Sequence, residues 1–424
     1  MAKRYTVAVL GCGGRGYAYA KHMKARPDAF LLTDYCDTNL AQLEKMNALF
    51  PVEKDRLFTD EEAFFAEKRA DVLVLATWDK SHVRQCVRAM ELGYDVLLEK
   101  PVADSREEID RLLEVRRKTG RKVVVCHVMR YSTPIRLVEE ILETGVLGRL
   151  MAIDHTEHVA YWHYAQAYVR LHAQWQGQTH PTILAKCCHD LDLIQHFAGA
   201  KCKSVSSVGG YRFFTPENAP DGATERCLDC PHAESCPYSA KRVYIDRWKE
   251  NGCPAFDWPW SKVSLRSPTT EADLLAGIED STFGQCPFLL GVEKDIHVAD
   301  HQMVQMVFEN GVTASLKMLF AADPGRRIQF FGTHGEVVLD ERSDTIEVKP
   351  YGGERRTLVI SQAKKQSDSW GHGGGDYGLV RDLHEILSGS KTDYTSLEES
   401  VESHLMGISA EESRHSGGNA VAVH

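Results

Sequence analysis

The 424-residue chain has no apolar run long enough to cross a bilayer, and no secretory-type apolar stretch follows Met1-Ala2-Lys3-Arg4-Tyr5. Neither a membrane span nor an export signal is therefore expected. Positive charge is not in excess: 50 Lys and Arg stand against 60 Asp and Glu, for a net charge of −10. Binding a phosphate backbone needs a basic field, so nucleic acid is excluded as an expected partner. Repeats and low-complexity tracts are absent. The 12 cysteines are mostly scattered through apolar segments. That suits reduced thiols and a cytoplasmic location rather than a disulfide framework. What remains is an ordinary globular composition, 43% hydrophobic and 26% charged. A chain of this length is too long for one simple core, so two domains are expected.

The strongest pattern is N-terminal. An apolar strand, Tyr5–Leu10, runs into Gly11-Cys12-Gly13-Gly14-Arg15-Gly16. A helix-like segment follows, then a second strand, Phe30–Cys36, closed by Asp37. This is G-x-G-x-x-G between a strand and a helix, with an acid at the end of the next strand. Gly11 permits the tight turn, Gly13 lets backbone approach a pyrophosphate, and Gly16 lets the helix pack on the strand. Gly14 and Arg15 open the helix, whose unpaired N–H groups attract phosphate. Asp37 suits ribose hydroxyls and repels a 2′-phosphate, and Thr38-Asn39 supplies no arginine for one. NAD is the expected cofactor, and Arg15 and Lys21 on the same helix leave NADP as the alternative.

Residues 1–130 continue as alternating strands and helices. Strands are predicted at Asp71–Ala76, Asp95–Leu98 and Lys122–His127, and helices at Asn39–Leu49, His82–Leu92 and Ser105–Thr119. Ser105 with Glu108 forms a capping-box pattern. The repetition predicts a doubly wound parallel Rossmann sheet, with ligands at the carboxyl ends of its strands. Thr77, Trp78, His82, Glu99, Lys100 and Arg130 fall at or near those ends and are candidate cofactor contacts. Residues 131–424 read as an α+β domain. Alternating strands at Leu150–His158, Ser204–Arg212, Asp300–Phe308, Ala314–Phe320, Arg327–Gly332 and Glu336–Asp340 predict an open, mainly antiparallel sheet covered by helices on one face. A long, weakly periodic insertion spans about 214–300, and a segment of that length is expected to be functional.

Several motifs now stand in order: Gly11-x-Gly13-x-x-Gly16, Asp37, Ala76-Thr77-Trp78-Asp79-x-x-His82, Glu99-Lys100-Pro101, Arg130-Tyr131, His189-x-x-Asp192 and Gly332-Thr333-His334-Gly335. Over nearly its whole length the chain resembles the Gfo/Idh/MocA family (glucose–fructose oxidoreductase, inositol dehydrogenase and relatives). The resemblance implies a nicotinamide cofactor in the N-terminal domain and a sugar or polyol against the C-terminal sheet. It implies hydride transfer between them, with Lys100 touching both and a commonly cis proline after it. It also implies a homo-oligomer, dimer or tetramer, with open sheets paired face to face. Lys186-Cys187-Cys188-His189 with Gly371-His372-Gly373-Gly374-Gly375-Asp376 resembles one sugar-active branch.

Oxidising a secondary alcohol needs a base within hydrogen-bond reach of the hydroxyl. Many relatives carry an acid four residues before the histidine, where this chain has Ala185. That leaves Lys186 and His189, one helical turn apart, beside Lys100 as the catalytic candidates. Lys186 is either a base, its pKa lowered by Lys100, or an ion-pair partner of Glu157, Asp190 or Asp192. His372 either reaches the ligand or sits in a glycine hinge capped by Asp376. Glu157, His163, Tyr164, Arg170 and Asp190 complete the expected substrate set, since aromatics and hydrogen-bonding groups together suit a sugar. After Arg170 the branch usually has a glycine-containing turn, and this chain has Leu171-His172-Ala173-Gln174-Trp175.

Cys227-x-x-Cys230-x5-Cys236 lies in the insertion. The spacing suits a structural metal, usually zinc, with Cys253 or His232 as fourth ligand, organising a loop without its own core. Free thiols are the alternative. The expected activity is an NAD-dependent dehydrogenase of a sugar or cyclitol. The alternative is a redox-assisted glycosidase or lyase that keeps its NAD and releases no NADH. A NAD(H)-sensing binding protein would lack the lysine and histidine candidates.

Overall fold

The computed structural model describes residues 3–174, 180–255, 258–266, 268–292, 297–363 and 371–424. Trp175, in the segment after Arg170, lies outside these residues.

Short apolar runs build the first sheet: β1 (Tyr5–Leu10), β2 (Phe30–Cys36), β3 (Leu57–Phe58), β4 (Val72–Leu75), β5 (Asp95–Leu98) and β6 (Val123–Val125). Their order is β3-β2-β1-β4-β5-β6, all parallel. Side chains alternate between two covered faces, so the strands are apolar on both sides. Val7, Val9, Val72 and Val74 join the core beneath helices Gly14–Lys24 and Gly375–Ser388. Leu10, Leu73 and Leu75 join the core beneath helices His82–Glu91 and Arg106–Thr119. Ser105 caps the latter helix through Glu108 N–H, while the Glu108 carboxylate turns to Asp104 N–H. The switch in strand order lies between β1 and β4, where such sheets hold their ligands.

The second sheet contains β7 (Leu150–Ala160), β8 (Cys202–Gly210), β9 (His301–Phe308), β10 (Thr313–Ala322), β11 (Gly325–Gly332), β12 (Gly335–Asp340), β13 (Thr345–Pro350), β14 (Arg356–Val359) and β15 (Val421–Ala422). Its order is β14-β13-β12-β11-β7-β10-β9-β8-β15. All neighbours are antiparallel except β7 and β10. Helices Cys188–Ala198 and Leu397–His415 pack on the sheet. Helix Gly375–Ser388, late in the chain, packs instead on the first sheet, so the two halves share a core.

The insertion departs from the expectation of a loop without a core. Val243, Tyr244, Ile245, Trp248, Trp260, Leu274, Ile278 and Phe283 form a separate buried cluster. Fully buried Arg170 anchors it, donating to the carbonyls of Gln285 (2.9 Å) and Tyr238 (2.7 Å). Arg170 is therefore a scaffold residue, contrary to its expected substrate role. Tyr164, also expected at the substrate, is fully buried among Phe214, Phe320 and Tyr168. Among the described residues no helix is long and apolar enough to cross a membrane.

Arg130 is a further correction. It was expected at the cofactor, but it is buried and grips Asp192 in a two-point ion pair, Nε–Oδ2 and Nη2–Oδ1 both at 2.7 Å. Its remaining nitrogen meets Glu399. It thereby ties the end of the first sheet to both helices under the second. Arg130→Met leaves the Asp192 carboxylate buried and unpaired, which typically costs about 3–5 kcal/mol. Urea unfolding should show that loss as a lower midpoint. An unchanged midpoint would remove Arg130 from this structural role.

Candidate active site

The fingerprint loop is dictated by contact. Gly11 has φ +93°, and a Cβ there would lie 2.4 Å from the Ala76 carbonyl oxygen. A Cβ on Gly16 would lie 2.0 Å from the Gly11 carbonyl oxygen. A Cβ on Gly13 or Gly14 meets no protein atom within 4 Å, so the fold itself does not demand glycine there. Helix Gly14–Lys24 starts with neither a side-chain cap nor an acid in its first turn. Its N–H groups are thus left to a ligand. Asp37 accepts from Cys12 N–H (2.7 Å) and Asn39 N–H (2.8 Å), which fixes its carboxylate at the end of β2. These features fit a dinucleotide phosphate and ribose.

Other expected cofactor contacts turn out to brace the loop. Arg15 does not face the phosphate position. Its guanidinium meets Glu99 at 2.6 Å and Asp376 at 2.8 Å and lies over the Tyr19 ring. Buried Glu99 also accepts from the Lys100 N–H (2.9 Å) and the Tyr19 hydroxyl (2.7 Å). Buried His82 bridges the carbonyls of Pro101 (2.7 Å) and Thr77 (3.3 Å), joining the turns after β4 and β5. The Thr77 hydroxyl is paired with Gln85, whereas Trp78 keeps 40% of its surface exposed. The Lys100–Pro101 bond is cis.

The candidate catalytic groups converge. Lys100 Nζ donates to the Ala185 carbonyl at 2.8 Å, at the start of the turn that presents Lys186 and His189. Lys186 pairs with Glu157 at 2.9 Å, so of the two sequence alternatives the ion pair is the one formed. Arg326 takes the other Glu157 oxygen at 3.0 Å and also Asp190 at 2.8 Å. His155 completes the group on Asp190 at 2.9 Å. Asp190, expected at the substrate, is thus fully buried behind the site. Burial pushes its pKa up, but Arg326, His155 and Lys186 outweigh burial and hold it below the carboxylate range.

His189 is buried, and its Nδ1 has no hydrogen-bond partner among the described residues. Burial first, then the charges of Lys100, His127 and His372, lowers its pKa well below the ordinary histidine value. The imidazole is therefore neutral near pH 7. His163 is lowered likewise, by burial and then by Lys186 and Lys100. The His372 ring lies 6.1 Å from that of His189, and its Nδ1 meets Asp376 at 3.1 Å. Gly371-Gly374 is a kinked turn, with positive φ at each of its four residues. A cleft of about 350 Å³ opens beside these groups, lined by Glu157, His163, Lys186, Arg326, Glu341 and Asp344 among others.

Arg326, Glu341 and Asp344 were not anticipated. Arg326 carried a readable signal: it shares the apolar face of β11 with Ile328 and Phe330. A charge on a buried strand face needs a buried partner. The cysteine motif behaves differently from expectation. Among the described residues no group of three or more His, Cys, Asp or Glu side chains is arranged to hold a metal. Cys227 is buried near Arg170 and the Gln285 carbonyl, His232 meets the Asp221 carbonyl, and Cys253 is exposed.

The parallel sheet, the fingerprint loop and the lysine–histidine cleft together define a nicotinamide-dependent oxidoreductase. The chain belongs to the GFO_IDH_MocA oxidoreductase family. The family's NAD-binding Rossmann domain matches residues 5–127 and its C-terminal alpha/beta domain matches residues 139–423. A putative oxidoreductase of Bacillus subtilis, YteT, is 23% identical over 90% of this chain and 92% of its own length. The 2,7-anhydro-N-acetylneuraminate hydratase of Escherichia coli is 24% identical over 35% of this chain and 39% of its own length. Levoglucosan dehydrogenase, solved with NADH and levoglucosan, shares the fold with a TM-score of 0.71, at 15% identity, over 99% of this chain and 100% of that one.

The glycines separate fold from ligand binding. Gly16→Ala drives a Cβ into backbone and should lower the thermal unfolding temperature, by roughly 1 °C for each kcal/mol lost in a chain of this length. Gly13→Ala should unfold at the wild-type temperature yet bind NADH more weakly in a fluorescence titration. Wild-type affinity in Gly13→Ala would contradict the phosphate assignment.

Proposed function

We propose that this protein is an NAD-dependent oxidoreductase moving hydride between a secondary alcohol of a sugar, polyol or glycoside and the nicotinamide. The observation that carries the reading is the turn that Lys100 meets at the Ala185 carbonyl, which brings Lys186 onto Glu157 at a charged cleft and holds His189 buried with a lowered pKa. The nicotinamide, when bound, supplies the hydride acceptor. His189 takes the hydroxyl proton, and Lys100 and Lys186 hold the oxygen and stabilise the charge that develops on it. Glu157, Arg326, Glu341 and Asp344 offer acceptors and donors to the other hydroxyls. His163 and His372 bound the pocket. Gly13, Gly14, Asp37 and Trp78 hold the cofactor, and the Asp37 carboxylate disfavours a 2′-phosphate.

A second reading has a specific support: the hydratase relative resembles this chain in part of its length. In that reading the hydride returns to the product, so a bond is cleaved or water added without net NADH. Nicotinamide absorbance on protein mixed with NAD and a panel of sugars, cyclitols and glycosides, with products read by mass spectrometry, separates the two. Steady NADH with a keto product marks the dehydrogenase; cleavage without NADH marks the redox-neutral cycle. Neither outcome with any panel member would sink the carbohydrate assignment.

His189→Ala should lower kcat by about 100- to 10,000-fold, the usual worth of a positioned base. Because its pKa lies below the ordinary value, His189 stays deprotonated as pH falls through 6.5, and kcat/KM should hold level there. Lys100→Met removes the strongest neighbouring charge, so an NMR titration should place the His189 pKa higher in that variant. A His189 pKa unmoved by Lys100→Met would refute the electrostatic assignment.

We also propose that the outer face of the second sheet pairs two copies, since Val208, Met303 and Val307 are exposed there on adjacent strands. Met303→Asp should shift sedimentation toward the monomer. A wild-type protein that sediments as a monomer would end this proposal.

A further inference from the structure

The insertion does more than flank the substrate cleft. Its segment 258–266 crosses to the other half of the molecule. Ser261 and Lys262 line a small cavity together with Cys12, Gly13, Gly14 and Tyr17 of the fingerprint loop and Gln42, Lys45 and Met46 of the next helix. Lys45 Nζ donates to the Leu265 carbonyl at 3.4 Å. The Lys262 ammonium stands 5.8 Å from the centre of the Trp78 ring. The carboxylates acting on it are Asp37, at the end of β2, and Asp79, just beyond the end of β4. Lys262 therefore bridges the crevice on either side of β1, where the strand order reverses.

The start of the segment is anchored. Trp260 and Ser261 are buried, and Trp260 belongs to the insertion's own core. Trp258 packs edge-on against His163, ring centres 4.7 Å apart, and lies 5.3 Å from Trp162. Arg247 covers Trp162 from the other side at 4.0 Å. The Lys262 side chain is exposed, so its ammonium is open to a ligand.

We propose that segment 258–266 is a strap across the cofactor cleft and that Lys262 is a cofactor-binding residue, its ammonium engaging the dinucleotide's phosphate or ribose oxygens. This rests on the NAD reading given above and deepens it. The strap adds a cation to a loop whose own arginine, Arg15, is spent on Glu99 and Asp376. It also makes the cofactor slow to leave, because release requires the segment to lift. Slow release is what a redox-neutral cycle needs and a dehydrogenase does not.

The test is NADH release from the full-length protein, followed by stopped-flow fluorescence with excess NAD as competitor, at low and high salt. Lys262→Ala should release NADH about tenfold faster or more, with a weaker dependence on salt, because one phosphate-directed charge is gone. Lys262→Arg should stay close to wild type. Thermal unfolding without cofactor should be the same for all three proteins, since Lys262 is not part of the insertion's core. Equal release rates in wild type and Lys262→Ala, with equal salt dependence, overturn the strap while leaving the NAD reading intact. A wild-type protein that binds no NADH overturns both.

Discussion

The Arg15 guanidinium lies between two buried carboxylates, Glu99 and Asp376, and much of the site depends on it. Two carboxylates this close to one another repel unless a cation stands between them. Burial works against the Asp376 charge, but Arg15 and His372 outweigh it and hold the carboxyl below its ordinary range. Glu99 is kept low in the same way by Arg15 and Lys100. The consequence is positional. Glu99 fixes the Lys100 backbone, Asp376 fixes His372, and Arg15 rides on the helix that meets the phosphates. Cofactor loop, Lys100 and glycine-rich turn are thereby set by one half-buried cation. Losing one partner of such a group is far costlier than the group is stabilising.

Around that centre the acidic protein gathers positive charge where it is useful. Lys186 and Arg326 line a cleft, with Lys100 behind the adjoining Ala185 carbonyl, in a chain of net charge −10. A cationic site favours an alkoxide over an alcohol, which is the charge change that hydride removal demands. Burial first, and these cations after it, lower the pKa values of His189 and His163. In the proposed reaction one arrangement would serve both halves of a proton transfer: an acceptor that is unprotonated, and a field that steadies what the proton leaves behind.

Much of this was legible in the residues. Gly11, Gly16 and Asp37 stand where the fingerprint requires, and six of the nine strands in the second sheet fall within two residues of their expected bounds. Local patterns carry such information because backbone geometry and strand alternation are local. Arg15, Arg130, Tyr164 and Arg170 were misjudged for the opposite reason. Each is a residue type that suits a ligand, and its true partner lies far along the chain: Asp376 for Arg15, Asp192 and Glu399 for Arg130, Phe320 for Tyr164, Gln285 and Tyr238 for Arg170. A sequence shows which groups want partners but not which ones the fold supplies. The insertion was misread similarly. Its apolar residues, such as Tyr244, Trp248, Trp260, Leu274 and Phe283, are too widely spaced to show a period, and only folding brings them together.

The absence of an acid at Ala185 has a structural answer. Lys100 meets the backbone carbonyl there, and the carboxylate beside Lys186 comes instead from Glu157 on β7. That substitution changes what the carboxylate can do. Both Glu157 oxygens are engaged by cations, Lys186 on one and Arg326 on the other, and the strand backbone cannot swing. A carboxylate clamped this way orients and neutralises but is poorly placed to collect a proton from a substrate. Lys186 is committed to the same pair. His189, in the turn beside the cleft, has a lowered pKa and a buried Nδ1 that meets no hydrogen-bond partner among the described residues. In the proposed reaction, with the acid moved from helix to strand, the histidine is the group left to accept the proton.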